Sequence, residues 1–187
     1  MPQARLSRIA RFVLPHLGAC GALVDFERLV ESMVYDRQRV REGLRLTQME
    51  LQAHHQQVFQ CSANVALKIC GFDLRASDVP GVIDQLCWVS PMRDLREDLR
   101  AGLNNLPLEI WNPEKSEASD AAAALQNQRV KQWLRAEYAN MLRAVERTKP
   151  ELERVKDRSG AFGFRIFHRL LSSYARKYPR QYPEVFE

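Results

Sequence analysis

The 187-residue chain has no paired-cysteine motif, no glycine-rich phosphate loop, no long apolar run and no acidic residue before Asp25. Each absence narrows the field. Cys20, Cys61, Cys70 and Cys87 stand far apart without CxxC spacing, which argues against a thioredoxin-like or zinc-ribbon site and predicts reduced core cysteines rather than a disulfide scaffold. His54 and His55 are adjacent and diverge on a helix, while His16 and His168 are isolated, so no metal-ligand set is expected. Nine Pro and eight Gly are too few for a disordered or fibrous chain. The longest apolar stretch, Phe12 to Val24, falls short of the roughly 20 residues that span a bilayer. Leu17-Gly18-Ala19-Cys20 mimics a lipoprotein cleavage box, but Arg11, Pro15 and His16 interrupt the apolar segment such a signal requires. A nucleophile elbow and paired carboxylates in a non-helical cleft are also missing. Asp94, Glu97 and Asp98 alternate with Arg93, Arg96 and Arg100, an ordinary set of helical ion pairs. The expectation is a non-enzyme without cofactor or metal.

What is present is positive charge of a particular kind. The formal net charge is +5, carried by 22 Arg against 6 Lys. It is unevenly spread: residues 1–60 hold 8 basic and 6 acidic groups, residues 61–128 hold 6 and 10, and residues 129–187 hold 14 and 7. The last third is therefore the natural face for a polyanion or an acidic partner protein. At the other end, Arg5, Arg8, Arg11 and His16 punctuate an apolar, acid-free opening stretch. Mitochondrial import machinery reads such a leader, and membrane surfaces and nucleic acids attract one.

Periodicity predicts an all-α helical bundle with two long helices, a kinked N-terminal helix and an extended aromatic C-terminal tail. Leu6, Ile9, Ala10, Val13 and Leu17 trace the first helix, which Pro15 kinks or ends; Asp25 caps a second through about Met33. Val40, Leu44, Thr47, Leu51, His54, Val58, Cys61 and Val65 alternate in steps of four and three, a seam that predicts one unbroken helix from Asp36 to Cys70 packed inside a bundle. Shorter helices are expected after Asp78 and from Ser90-Pro91 to Gly102. Residues 104–120, with Pro107, Asn112-Pro113 and the apolar Leu106, Leu108, Ile110 and Trp111, form an irregular connection packed on the bundle or on a partner. A second long helix starts near Ala121. Thr148-x-x-Glu151 predicts a capping box that opens another helix, closed by Gly160. The last helix runs from Phe162 to Tyr178 and stops at Pro179. The domain reading is residues 1–103, the connection 104–120, and a basic C-terminal part 121–187, with one compact domain as the alternative.

Two local resemblances follow from these residues. Glu27 to Leu46 resembles a helix-turn-helix: Leu29, Val30 and Met33 line a first helix, Tyr35 takes the buried turn position, Asp36 caps, and Val40 and Leu44 line a second helix. Val34 stands where that motif usually has glycine. The resemblance implies DNA contacts from Arg37, Gln38, Arg39 and Arg41. Phe162-Gly163-Phe164-Arg165-Ile166-Phe167 looks like half of the aromatic strand of RNA recognition motifs, without its basic opening and with too little chain beyond it to complete that fold.

Three functions remain as expectations. The first is a non-catalytic accessory subunit of a large assembly, in mitochondria, whose class spans respiratory chain, ATP synthase and ribosome; the modest net charge argues against ribosomal RNA as its main contact. Its partner-facing residues would be Leu108, Ile110 and Trp111 in the connection and Tyr178, Tyr182 and Phe186 in the tail. The second is a DNA-binding regulator of the bacterial cytoplasm acting through Arg37, Gln38, Arg39 and Arg41. The third is a stand-alone helical adaptor or effector. Peripheral membrane contact stays open.

Overall fold

The computed structural model describes residues 2–111 and 121–187, with the side chains of residues 1–9 and 12 outside that description. Among the described residues there are nine α-helices and no strand: α1 (Pro2–Ala19), α2 (Leu23–Glu42), α3 (Gln48–Ile69), α4 (Pro80–Arg93), α5 (Leu95–Arg100), α6 (Ala121–Gln126), α7 (Gln128–Arg154), α8 (Ala161–Gln181) and α9 (Pro183–Phe186). A single 3-10 turn, Ala76–Asp78, leads into α4. Among the described residues no helix is long and apolar enough to cross a membrane.

The helix expected from Asp36 to Cys70 breaks in two, because local signals oppose its seam. Gly43 ends α2 in the left-handed region (φ 63°), with Leu44 N–H donating to the Arg39 carbonyl at 2.9 Å. Only glycine enters that region without steric cost. Thr47 then caps α3: its Oγ1 accepts from Glu50 N–H at 3.3 Å, while the Glu50 carboxylate accepts from Thr47 N–H at 2.8 Å. The resulting hairpin packs α2 against α3.

The same Thr-x-x-Glu pattern fails to start a helix at Thr148. There α7 runs straight through Pro150 to Arg154. The Thr148 hydroxyl donates to the Ala144 carbonyl at 2.7 Å and accepts from Gln85 Nε2 at 2.6 Å. Glu151 reaches across to accept from Gly81 N–H at 2.8 Å. Partners on α4 have captured both side chains that a capping box needs.

α4 lies at the centre, packed by α3, α7 and α8. It continues through Pro91 instead of restarting at Ser90. Its Val82, Trp88, Val89 and Met92 join Leu95, Leu99, Leu106, Leu125, Leu134, Met141 and Phe164 in one core cluster. That core draws on both sides of the 104–120 connection. Leu106 and Trp111 of the connection are buried in it, whereas Asn112-Pro113 lies outside the described residues.

The C-terminus is helical, where an extended tail was expected. α8 passes Pro179, and Tyr182 N–H still donates to the Tyr178 carbonyl at 3.1 Å before α9 closes the chain. Aromatic packing accounts for the override. Tyr178 sits with its ring centroid 4.7 Å from Trp88 and 4.7 Å from Tyr182, and Phe186 meets Tyr138 edge-on at 5.1 Å. Burying large rings contributes several times what a local proline preference costs at a helix end.

Candidate functional site

The helix-turn-helix arrangement is absent. Val34, Tyr35 and Asp36 lie inside the continuous α2, so no turn separates a scaffold helix from a reading helix. Arg39, expected to touch DNA, is only 1% exposed. Its Nη1 donates to Asp36 Oδ1 at 2.8 Å and its Nη2 to the Asn104 carbonyl at 2.6 Å. His54 Nε2 meets the same Asp36 oxygen at 2.9 Å. Burial works against the Asp36 charge, but the bonds from His54 and Arg39 outweigh it and hold its pKa below the usual carboxylate value. Arg39 is thus a brace joining α2, α3 and the 104–111 segment. Arg37, Gln38 and Arg41 are exposed, with Gln38 and Arg41 both turned to Glu42 on their own helix.

The six residues expected to face a partner are placed as follows. Tyr178, Tyr182 and Trp111 are enclosed by this chain's own core. Ile110 and Phe186 are half-buried and packed against it, and Leu108 is half-buried with its N–H donating to the Leu46 carbonyl at 2.8 Å. Arg96 seals the end of the aromatic cluster, its guanidinium 4.4 Å from the Tyr182 ring centroid and paired with Glu184. Apolar side chains far from the earlier helices in sequence can look like a partner surface; here the intramolecular core takes up Trp111, Tyr178 and Tyr182.

Of the cysteines, Cys61 is buried, Cys20 and Cys87 are half-buried, and Cys70 is exposed. Cys70 departs from the core expectation because α3 ends beside it. Burial pushes the Cys87 thiol up to about 12, which removes its thiolate character. Among the described residues no group of three or more His, Cys, Asp or Glu could hold a metal ion.

The surface that stands out is one that sequence reasoning assigned elsewhere. The outward face of α8 carries Phe162 (68% exposed), Ile166 (42%), Phe167 (43%) and Leu170 (60%). Phe162, Ile166 and Leu170 lie four apart and so form a stripe along the helix. The opposite face, with Phe164, Leu171, Ala175 and Tyr178, is in the core. α8 also carries Arg165, Arg169, Arg176, Lys177 and Arg180 and no acidic residue. The stripe occupies its first half, and Arg176, Lys177 and Arg180 follow toward the end. The four-residue spacing was the available signal. A second outward apolar set, Val30, Met33 and Val34, lies on α2.

Comparison with protein-family models, curated proteins and solved structures found no match to this chain.

Proposed function

We propose that the protein is a non-catalytic helical subunit of a larger protein assembly, joined through the outward face of α8 to an acidic amphipathic helix of a neighbouring subunit. The α8 stripe of Phe162, Ile166, Phe167 and Leu170 carries this reading. A contiguous apolar stripe left in water by a chain whose core is already closed marks an interaction surface. Charge selects the occupant. With five basic residues and no acidic one on α8, a partner helix whose apolar face is flanked by Asp and Glu is attracted, and a basic one is repelled. The separate apolar set on α2 fits a component with more than one neighbour. The arginine-bearing, acid-free stretch before Asp25 supports a mitochondrial setting.

Gradient sedimentation of the tagged protein from its native cell tests the proposal, alongside a Phe162→Glu/Leu170→Glu variant. Both substituted positions are exposed, so the variant keeps the thermal melting of the parent. The expected result is a heavy, nuclease-resistant peak for the parent and a light peak for the variant. A light parent peak overturns the assembly reading in favour of a free adaptor. Collapse under nuclease moves the basic surface to nucleic acid, and a variant that stays heavy removes α8 as the joint.

A further inference from the structure

α3 and α7 both pack on α4, and between them lies a cleft of about 360 Å³ with α4 as its floor. That volume is within the range of small-molecule sites. The two walls differ in chemistry. On α7, Glu137, Asn140 and Arg143 form a ladder: Asn140 Nδ2 donates to Glu137 Oε1 at 3.2 Å, and Arg143 donates to Asn140 Oδ1. Arg147 continues the wall, 3.8 Å from Asp84. Among the described residues neither Glu137 nor Arg143 pairs with an opposite charge, although Glu137 is half-buried. Burial raises its pKa despite the bond from Asn140, as expected for a carboxylate without a cation.

On α3 the facing wall presents Gln48 and Gln52. Gln48 Oε1 accepts from Trp133 Nε1 at 2.8 Å, which leaves its amide NH2 unused, and Gln52 is exposed to the cleft. One further polar atom among the lining residues, Trp88 Nε1, is enclosed without a hydrogen-bond partner among the described residues. Buried polar atoms are seldom left so.

We propose that this cleft binds an elongated zwitterion of about tripeptide length. Its amine lies against Glu137, its carboxylate against Arg143 with Arg147 behind, and its central amides meet Gln48 and Gln52. Length supports the match. Six helical residues separate Glu137 from Arg143, about 9 Å along the axis, and three extended residues span about 10 Å. An amine supplies the missing cation at Glu137, and a carboxylate pairs with the forked guanidinium of Arg143. The proposal does not depend on the α8 joint.

Trialanine with free termini is the probe, read by isothermal titration and by the fluorescence of Trp88 and Trp133, both of which line the cleft. N-acetylated and C-amidated trialanine are the controls. Binding in the micromolar to millimolar range is expected, weakened about tenfold by either cap. Glu137→Gln weakens the free peptide by a similar factor and leaves the acetylated one unchanged; Arg143→Gln does the same for the amidated one. Failure of trialanine to bind, or capped peptides binding as tightly as the free one, overturns the proposal. So does a Glu137→Gln variant that loses both peptides equally while its melting temperature is unchanged.

Discussion

Gly81→Ala is the sharpest perturbation of this fold, because local and tertiary reasoning give it opposite signs. Gly81 is in the first turn of α4, where alanine improves helix propensity by up to about 1 kcal/mol. A Cβ built there, however, meets Thr148 Oγ1 at 2.4 Å and Glu151 Oε2 at 2.9 Å. The glutamate can swing away. Thr148 cannot, since it is fully buried and its hydroxyl is held by Ala144 and by Gln85. Overpacking of this kind costs about 1–3 kcal/mol. Displacing Glu151 also weakens its 2.8 Å bond from Gly81 N–H, and a hydrogen bond to a charged group contributes about 1.5–3 kcal/mol. After subtracting the propensity gain, the net loss is about 2–4 kcal/mol. Urea denaturation followed by tryptophan fluorescence measures it as a lower midpoint with little change in slope. Thr148→Ala removes the atom in the way, so the double variant should be less destabilised than the sum of the singles by about 1–2 kcal/mol. A Gly81→Ala protein as stable as its parent, or more so, would refute the close approach of α4 and α7.

Two titrating groups should oppose each other. Burial raises Asp98 to about 6, against the bond from Asn105, and burial lowers His55 to about 4. Asp98 therefore costs stability that appears as pH rises from about 4 to 6, while the cost of His55 appears as pH falls from about 6.5 to 4. Asp98→Asn keeps an acceptor for Asn105 and should gain about 1–2 kcal/mol at pH 7, solvent screening part of the effect because Asp98 is half exposed, a gain that disappears by pH 4; an equal gain at both pH values by thermal melting rules out the raised Asp98. Tyr178 is fully buried and its hydroxyl has no partner, so Tyr178→Phe should hold stability or raise it by about 1 kcal/mol, whereas a loss of 2 kcal/mol or more would mean that the hydroxyl is bonded.

Several features were legible in the residues alone. The 3.6-residue periodicity and the lack of alternating runs establish an all-α bundle, because each is read within two turns of chain. The excess of cations over anions in the last third is twofold, 14 to 7 across residues 129–187, and on α8, where the apolar stripe lies, it becomes five to none. Gly43 and Thr47-x-x-Glu50 also carried the α2–α3 break, though the seam across them pointed to a continuous helix.

Tertiary structure decided the rest. Thr47 and Thr148 open the same four-residue pattern, yet only the first caps a helix, because partners on α4 engage Thr148 and Glu151 from 63 and 70 residues away. Arg39 has the composition of a DNA contact and becomes a buried brace once Asp36, His54 and Asn104 surround it. Tyr178 and Tyr182 go inward while Phe162 and Leu170 stay outward, a choice no composition could make. A side chain's role depends on which neighbours arrive from distant parts of the chain, and burial and hydrogen-bond partnership are settled only when they do.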